Sequence, residues 1–155
     1  MKTVEQWLDE YDESHQNGIN KILHWICVPL IVLSLLGLLW PISISFGQNK
    51  LPFSFNWAVI AIIFALLYYA LMSWSLALGM LVVSTAMIFI LEILSDLPTP
   101  LWLMSLLIFI AAWIGQFIGH QVEGKRPSFF KDLQFLLIGP LWLLSYLYRK
   151  LGIPY

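Results

Sequence analysis

Long apolar runs separated by short polar breaks dominate the chain. The first, Lys21 to about Pro41, is roughly 20 residues long, enough for a helix to cross a ~30 Å hydrocarbon core. Pro29 inside it removes a backbone donor and predicts a kink near Trp25. From Trp57 to Leu94 the sequence is apolar almost without interruption for about 38 residues, or ~57 Å as one helix. That is nearly twice the core, so two spans joined by a tight hairpin are predicted, with Met72-Ser-Trp-Ser75 as the turn. Ser95-Asp-Leu-Pro-Thr-Pro100 reads as a loop, and Leu101 onward as a fourth span. The spans are expected near 21–41, 57–73, 75–94 and 101–120.

The polar ends have a different pattern. Thr3 to Ser14 is acidic, with Trp7, Leu8 and Tyr11 at helical spacing. Thr3 suits an N-cap, and the apolar edge suits a helix lying on the membrane surface. Helical order should break around His15-Gln-Asn17-Gly18, with Asn17 or Asn20 capping the next helix. After Pro127, the stretch 128–151 is apolar but carries Lys131, Asp132 and a closing Arg149-Lys150, and Gly139-Pro140 is expected to split it. It reads as an interfacial or re-entrant helical segment rather than a fifth span. The fold expected is an all-α integral membrane protein, one domain over 1–155. It has four transmembrane helices, an N-terminal amphipathic helix and a C-terminal interfacial or re-entrant helical segment.

Composition supports the membrane class: 60% of residues are hydrophobic and 11% charged, against roughly 25% charged in soluble domains. Mean hydropathy is +0.82. A net charge of −1 offers no basic field for nucleic acid. The single cysteine, Cys27, excludes an internal disulfide or a CxxC site and reads as a buried, inert thiol. No cleavable signal peptide is visible ahead of the first apolar run. With four spans, Lys2, Lys21, Lys125, Arg126, Lys131, Arg149 and Lys150 fall on one side and only Lys50 on the other. The positive-inside rule then makes both termini cytoplasmic.

The candidate chemistry lies at the span ends. On a helix, Gln116, His120 and Glu123 share a face, and His and Glu three apart can reach one metal ion. His15 and His24 flank the start of span one, and His120 closes span four. In an antiparallel bundle the three therefore occupy one layer. In a continuous helix His15 and His24 would point about 180° apart; the break at Asn17-Gly18 lets both turn inward. Asn17, Asn20 and His24 form a further polar stripe. One histidine at a membrane interface needs no ligand, but three in one layer beside Glu123 favour a metal site. Lys125 and Arg126 read equally as topology signals or as a clamp for a substrate carboxylate.

His15-Gln-Asn17-Gly-Ile-Asn20-Lys-Ile-Leu-His24, followed by Pro29, resembles the first signature of a known family. Trp113-Ile-Gly-Gln116-Phe-Ile-Gly-His120 with Glu123-Gly-Lys-Arg-Pro127 resembles its second. The family is that of the fungal endoplasmic-reticulum 2-hydroxy fatty acid dioxygenase, with many bacterial relatives, and the resemblance spans nearly the whole chain. The acidic residue follows the last histidine by three positions here and by four in the fungal enzyme. The resemblance implies Fe²⁺ held by His15, His24 and His120, with Glu123 as a fourth ligand or base. It also implies O₂-dependent shortening of a 2-hydroxy fatty acid by one carbon in fatty acid α-oxidation; on our reading of the residues, Arg126 with Asn17 and Asn20 is expected to orient the acid. The membrane would be the cell inner membrane in a bacterium and the endoplasmic reticulum in a eukaryote. The rivals are another metal-dependent lipid-modifying enzyme and a non-catalytic scaffold or small transporter. Among the former, hydroxylases and desaturases hold two irons with more histidines than the three present.

Overall fold

In the computed structural model, which describes residues 2–43, 56–124 and 129–155 (side chains of 129–134 excepted), Thr3 opens the first helix. Its hydroxyl accepts from the Gln6 N–H, and the Gln6 side chain accepts from the Thr3 N–H, closing a capping box on α1 (Val4–Asp12). Asn17 caps α2 (Gly18–Leu39) by accepting from the Ile19 N–H at 2.9 Å. Asn56 caps α3 (Trp57–Met72) in the same way through Val59. Ser73 makes the hairpin alone. Its backbone N–H ends α3 on the Tyr69 carbonyl, and its hydroxyl accepts from Leu76 to start α4 (Trp74–Ser95). Pro100 precedes α5 (Leu101–Glu123), which stops at Gly124 in the left-handed region at φ +74°, a conformation that favours glycine. The last helix, α6, runs Phe129–Leu151.

All named elements among the described residues are helices, with one isolated bridge between Ser43 and Asn56. Three of them, α2, α4 and α5, are long and apolar enough to cross a membrane, while α3 has 16 residues. Leu71, Trp74 and Val82 stand 87%, 75% and 70% exposed. A belt of outward apolar side chains of this kind is compatible with membrane insertion.

The seam between α2 and α5 is built from small residues. A Cβ on Gly37 would sit 2.2 Å from Ser105 Oγ, one on Gly115 2.6 Å from Cys27 Sγ, and one on Gly119 2.4 Å from Asn20 Oδ1. The pairing order makes the two helices antiparallel and lets their backbones approach closely. At one end of the bundle Leu36, Ala58, Ile62, Leu91 and Leu101 form a buried cluster. At the other end, α6 closes the bundle. Tyr69 Oη donates to the Leu137 carbonyl at 2.9 Å and Tyr148 Oη to the Ser75 carbonyl at 3.0 Å. Gly79 leaves room for Leu144 and Tyr148.

Two details depart from the sequence-based expectation. Gly139-Pro140 does not split the last segment; α6 continues through it. Proline costs one helical bond, but Ile138, Leu141, Trp142, Leu143 and Leu144 are all buried around it, and packing outweighs propensity. Gly139 also allows Tyr11 Oη to lie 3.0 Å from where a Cβ would be. The apolar edge of α1 does not lie free for the membrane surface either. Leu8 and Tyr11 are buried in one cluster with Val28, Ile138, Trp142 and Leu143. Periodicity identifies an apolar face but not what covers it.

Candidate metal centre

The elbow between α1 and α2 is five residues, Glu13 to Asn17, and it aims His15 back into the bundle, where it is buried. His15 Nδ1 lies 2.6 Å from the Tyr11 carbonyl and His24 Nδ1 2.9 Å from the Asn20 carbonyl, each one turn earlier in the chain. A carbonyl only accepts, so Nδ1 carries the proton on both rings and each Nε2 presents a lone pair. This is the arrangement in which the second nitrogen of a metal-binding histidine is held by a backbone carbonyl. His120 arrives from the last turn of α5. The ring centroids are 4.1 Å apart for His15–His24, 5.1 Å for His24–His120 and 5.7 Å for His15–His120. One ligand nitrogen from each lies within 4.8 Å of the other two.

His15 and His24 are buried and His120 is half-buried. His15 Nε2 is buried with no hydrogen-bond partner among the described residues, which costs about 1–3 kcal/mol unless a ligand takes it. Burial pushes the His15 pKa down to about 4, helped by His120 and opposed by the bond to Tyr11. The ring is therefore neutral near pH 7, the form that binds metal. Imidazole donors without a thiolate fit a divalent first-row ion such as iron or zinc.

Aromatic rings wall the cluster. Tyr11 stacks on His15 at 4.2 Å with 8° between planes, and Trp142 tilts against His15 at 5.5 Å. Trp142 is itself tied, its indole N–H donating to Asp12 Oδ1 at 3.2 Å. Neither residue stands out as a site residue in the sequence: Tyr11 reads only as part of an amphipathic edge, and Trp142 carries no local signal because its partner Asp12 lies 130 positions away. Gly119 did carry one, the small-residue spacing Gly115-Gln-Phe-Ile-Gly119.

Of the other expected site residues, Glu123 has both carboxylate oxygens engaged. Oε1 accepts from the Gln16 N–H at 2.9 Å; Oε2 accepts from the Asn17 N–H at 2.9 Å and from Asn20 Nδ2 at 3.0 Å. Asn17 caps α2 with its side chain. Asn20 is fully buried and also donates to the Ser14 carbonyl at 3.1 Å. Gln116 is buried on the α5 face that carries His120. Arg126 and Lys125 lie outside the described residues. The sequence model of one family, Mpo1-like (2-hydroxy-palmitic acid dioxygenase Mpo1-like), matches residues 1–151. No curated protein and no solved structure gives a match.

Proposed function

The chain belongs to the Mpo1-like family, and we propose that it is an iron(II)-dependent dioxygenase of fatty acid α-oxidation, acting on a long-chain 2-hydroxy acid. The observation that carries this reading is the convergence of three histidine nitrogens within 4.8 Å, with Nδ1 of His15 and of His24 each held by a backbone carbonyl. His15, His24 and His120 would hold the ion. Bound there, ferrous iron would supply the O₂ activation that a closed-shell acid cannot achieve alone.

The balance is R–CH(OH)–COOH + O₂ → R–COOH + CO₂ + H₂O. Four electrons leave the two terminal carbons and reduce O₂, so no second reductant is consumed. The protein's own part is positional. Tyr11 and Trp142 keep bulk water from His15, and the carbonyls of Tyr11 and Asn20 fix the orientation of their rings. Arg126 pairs with the substrate carboxylate through its planar fork. The acyl chain stays in lipid while the acid head meets the site at the membrane edge.

In the topology we propose, α2 to α5 cross the membrane and both termini are cytoplasmic. In support, Val4 near one terminus and Tyr155 at the other pack on the same buried clusters. The test is elemental analysis of anaerobically purified protein. About one iron per chain is expected, with none in His24→Ala and with membrane insertion of that variant unchanged. A wild-type chain that binds no metal under iron-replete conditions would favour the scaffold reading, and a full equivalent in His24→Ala would remove His24 from the site.

A further inference from the structure

The three histidines come from three separate segments. His15 sits in an elbow, His24 in the second turn of α2, and His120 about one turn before the end of α5. The group that ties the three segments together is Glu123. Its carboxylate takes the N–H groups of Gln16 and Asn17, the two residues that come directly after His15. It also takes Nδ2 of Asn20, whose own carbonyl receives the His24 ring and whose amide also holds the Ser14 carbonyl just before His15. Glu123 lies one turn beyond His120 on the same helix. Gly119 leaves the space in which Asn20 fits, since a Cβ there would stand 2.4 Å from Asn20 Oδ1.

We infer that Glu123 is a positioning residue, which sets His15 and His24 against His120 by clamping the Gln16–Asn17 backbone and the Asn20 amide. This replaces the ligand or base role that the sequence suggests, and it rests on the proposed three-histidine metal site. The geometry favours the clamp. Glu123 is not among the residues whose ligand atoms converge. To swing to the metal it would have to pull away from N–H donors that it now holds, one of them on a fully buried side chain. Groups at both ends of the clamp would then lose their partners together.

The experiment is hydrogen–deuterium exchange on the full chain in lipid nanodiscs, read at the Gln16 and Asn17 amides, with Co²⁺ as the metal probe. In the wild type both amides should be protected, and they should stay protected when Co²⁺ is added. Glu123→Gln keeps the shape but leaves a single acceptor oxygen and points an NH₂ at N–H donors. It should speed exchange at Gln16 and Asn17 ten-fold or more, leave the middle of α5 unchanged and weaken Co²⁺ binding by ten-fold or more. Glu123→Asp, still a carboxylate, should recover part of both. The inference is overturned if the wild-type amides exchange as fast as in Glu123→Gln. It is equally overturned if Co²⁺ releases them in the wild type, because the carboxylate would then have moved to the metal; this arm needs no variant. Failure of every form to bind Co²⁺ would sink the metal reading, while the amide protection still decides the clamp.

Discussion

Gly119→Ala puts the packing of the site to a quantitative test. The new methyl would lie 2.4 Å from Asn20 Oδ1, 3.4 Å from Asn20 Cγ and 3.5 Å from Leu23 Cδ1. The nearest atom is far inside van der Waals contact, and Asn20 cannot step aside freely. It is fully buried, and its amide is held by Ser14 and Glu123. Overpacking of this kind costs about 1–3 kcal/mol. Losing the bond from Asn20 to a carboxylate adds about 1.5–3 kcal/mol. Replacing glycine by alanine inside a helix returns about 1 kcal/mol. The net expectation is a loss of about 1.5–5 kcal/mol, together with weaker metal binding because the Asn20 carbonyl that holds His24 moves. The assay is unfolding of detergent-solubilised protein by titrated SDS, monitored by far-UV circular dichroism, with Gly18→Ala as the control. Gly18 meets nothing within 4 Å, so its alanine variant should stay within about 0.5 kcal/mol of wild type. If Gly119→Ala were as stable as Gly18→Ala, the close approach of α2 and α5 at Asn20 would be refuted.

Acid should weaken the metal-free fold through His15. Its folded-state pKa of about 4 lies below the ordinary 6.5, so between these values the unfolded chain binds the extra proton. Stability is thus full above about pH 6.5 and falls towards pH 4, by up to ~3 kcal/mol. Unfolding titrations of metal-free wild type and His15→Phe at pH 7 and pH 5 should show a drop smaller by about 2 kcal/mol in the variant, and equal drops would contradict the assignment. For topology, reporter fusions at Tyr155 and between residues 43 and 56 should report opposite sides of the membrane; agreement between them would refute the four-span arrangement.

Much of this arrangement was legible in the sequence because membrane physics restricts the choices. A 38-residue apolar run must fold back, and the only residues offering caps near its middle were those around Ser73, where the turn is found. The break at Asn17-Gly18 was equally readable, and with it the meeting of His15 and His24 across a change of helix direction. Burial by partner elements was not legible. Nothing around Tyr11 indicates that it will stack on His15 under α6, and nothing around Pro140 indicates that buried neighbours will carry the helix through it. Glu123 shows the same limit at the site. Its helical register with His120 is visible in the sequence, but its partners, Gln16, Asn17 and Asn20, lie more than a hundred residues away.

The central claim is that this three-histidine centre removes one carbon from a 2-hydroxy acid at the expense of O₂. Purified protein reconstituted anaerobically with one equivalent of Fe²⁺ is mixed with a long-chain 2-hydroxy acid and O₂, and the products are identified by mass spectrometry. The expected result is the acid one carbon shorter and CO₂ in equal amounts, one O₂ consumed per acid, no requirement for an added reductant and no product from His24→Ala. Absence of the shortened acid across a range of chain lengths, with iron bound and the fold intact, would contradict it.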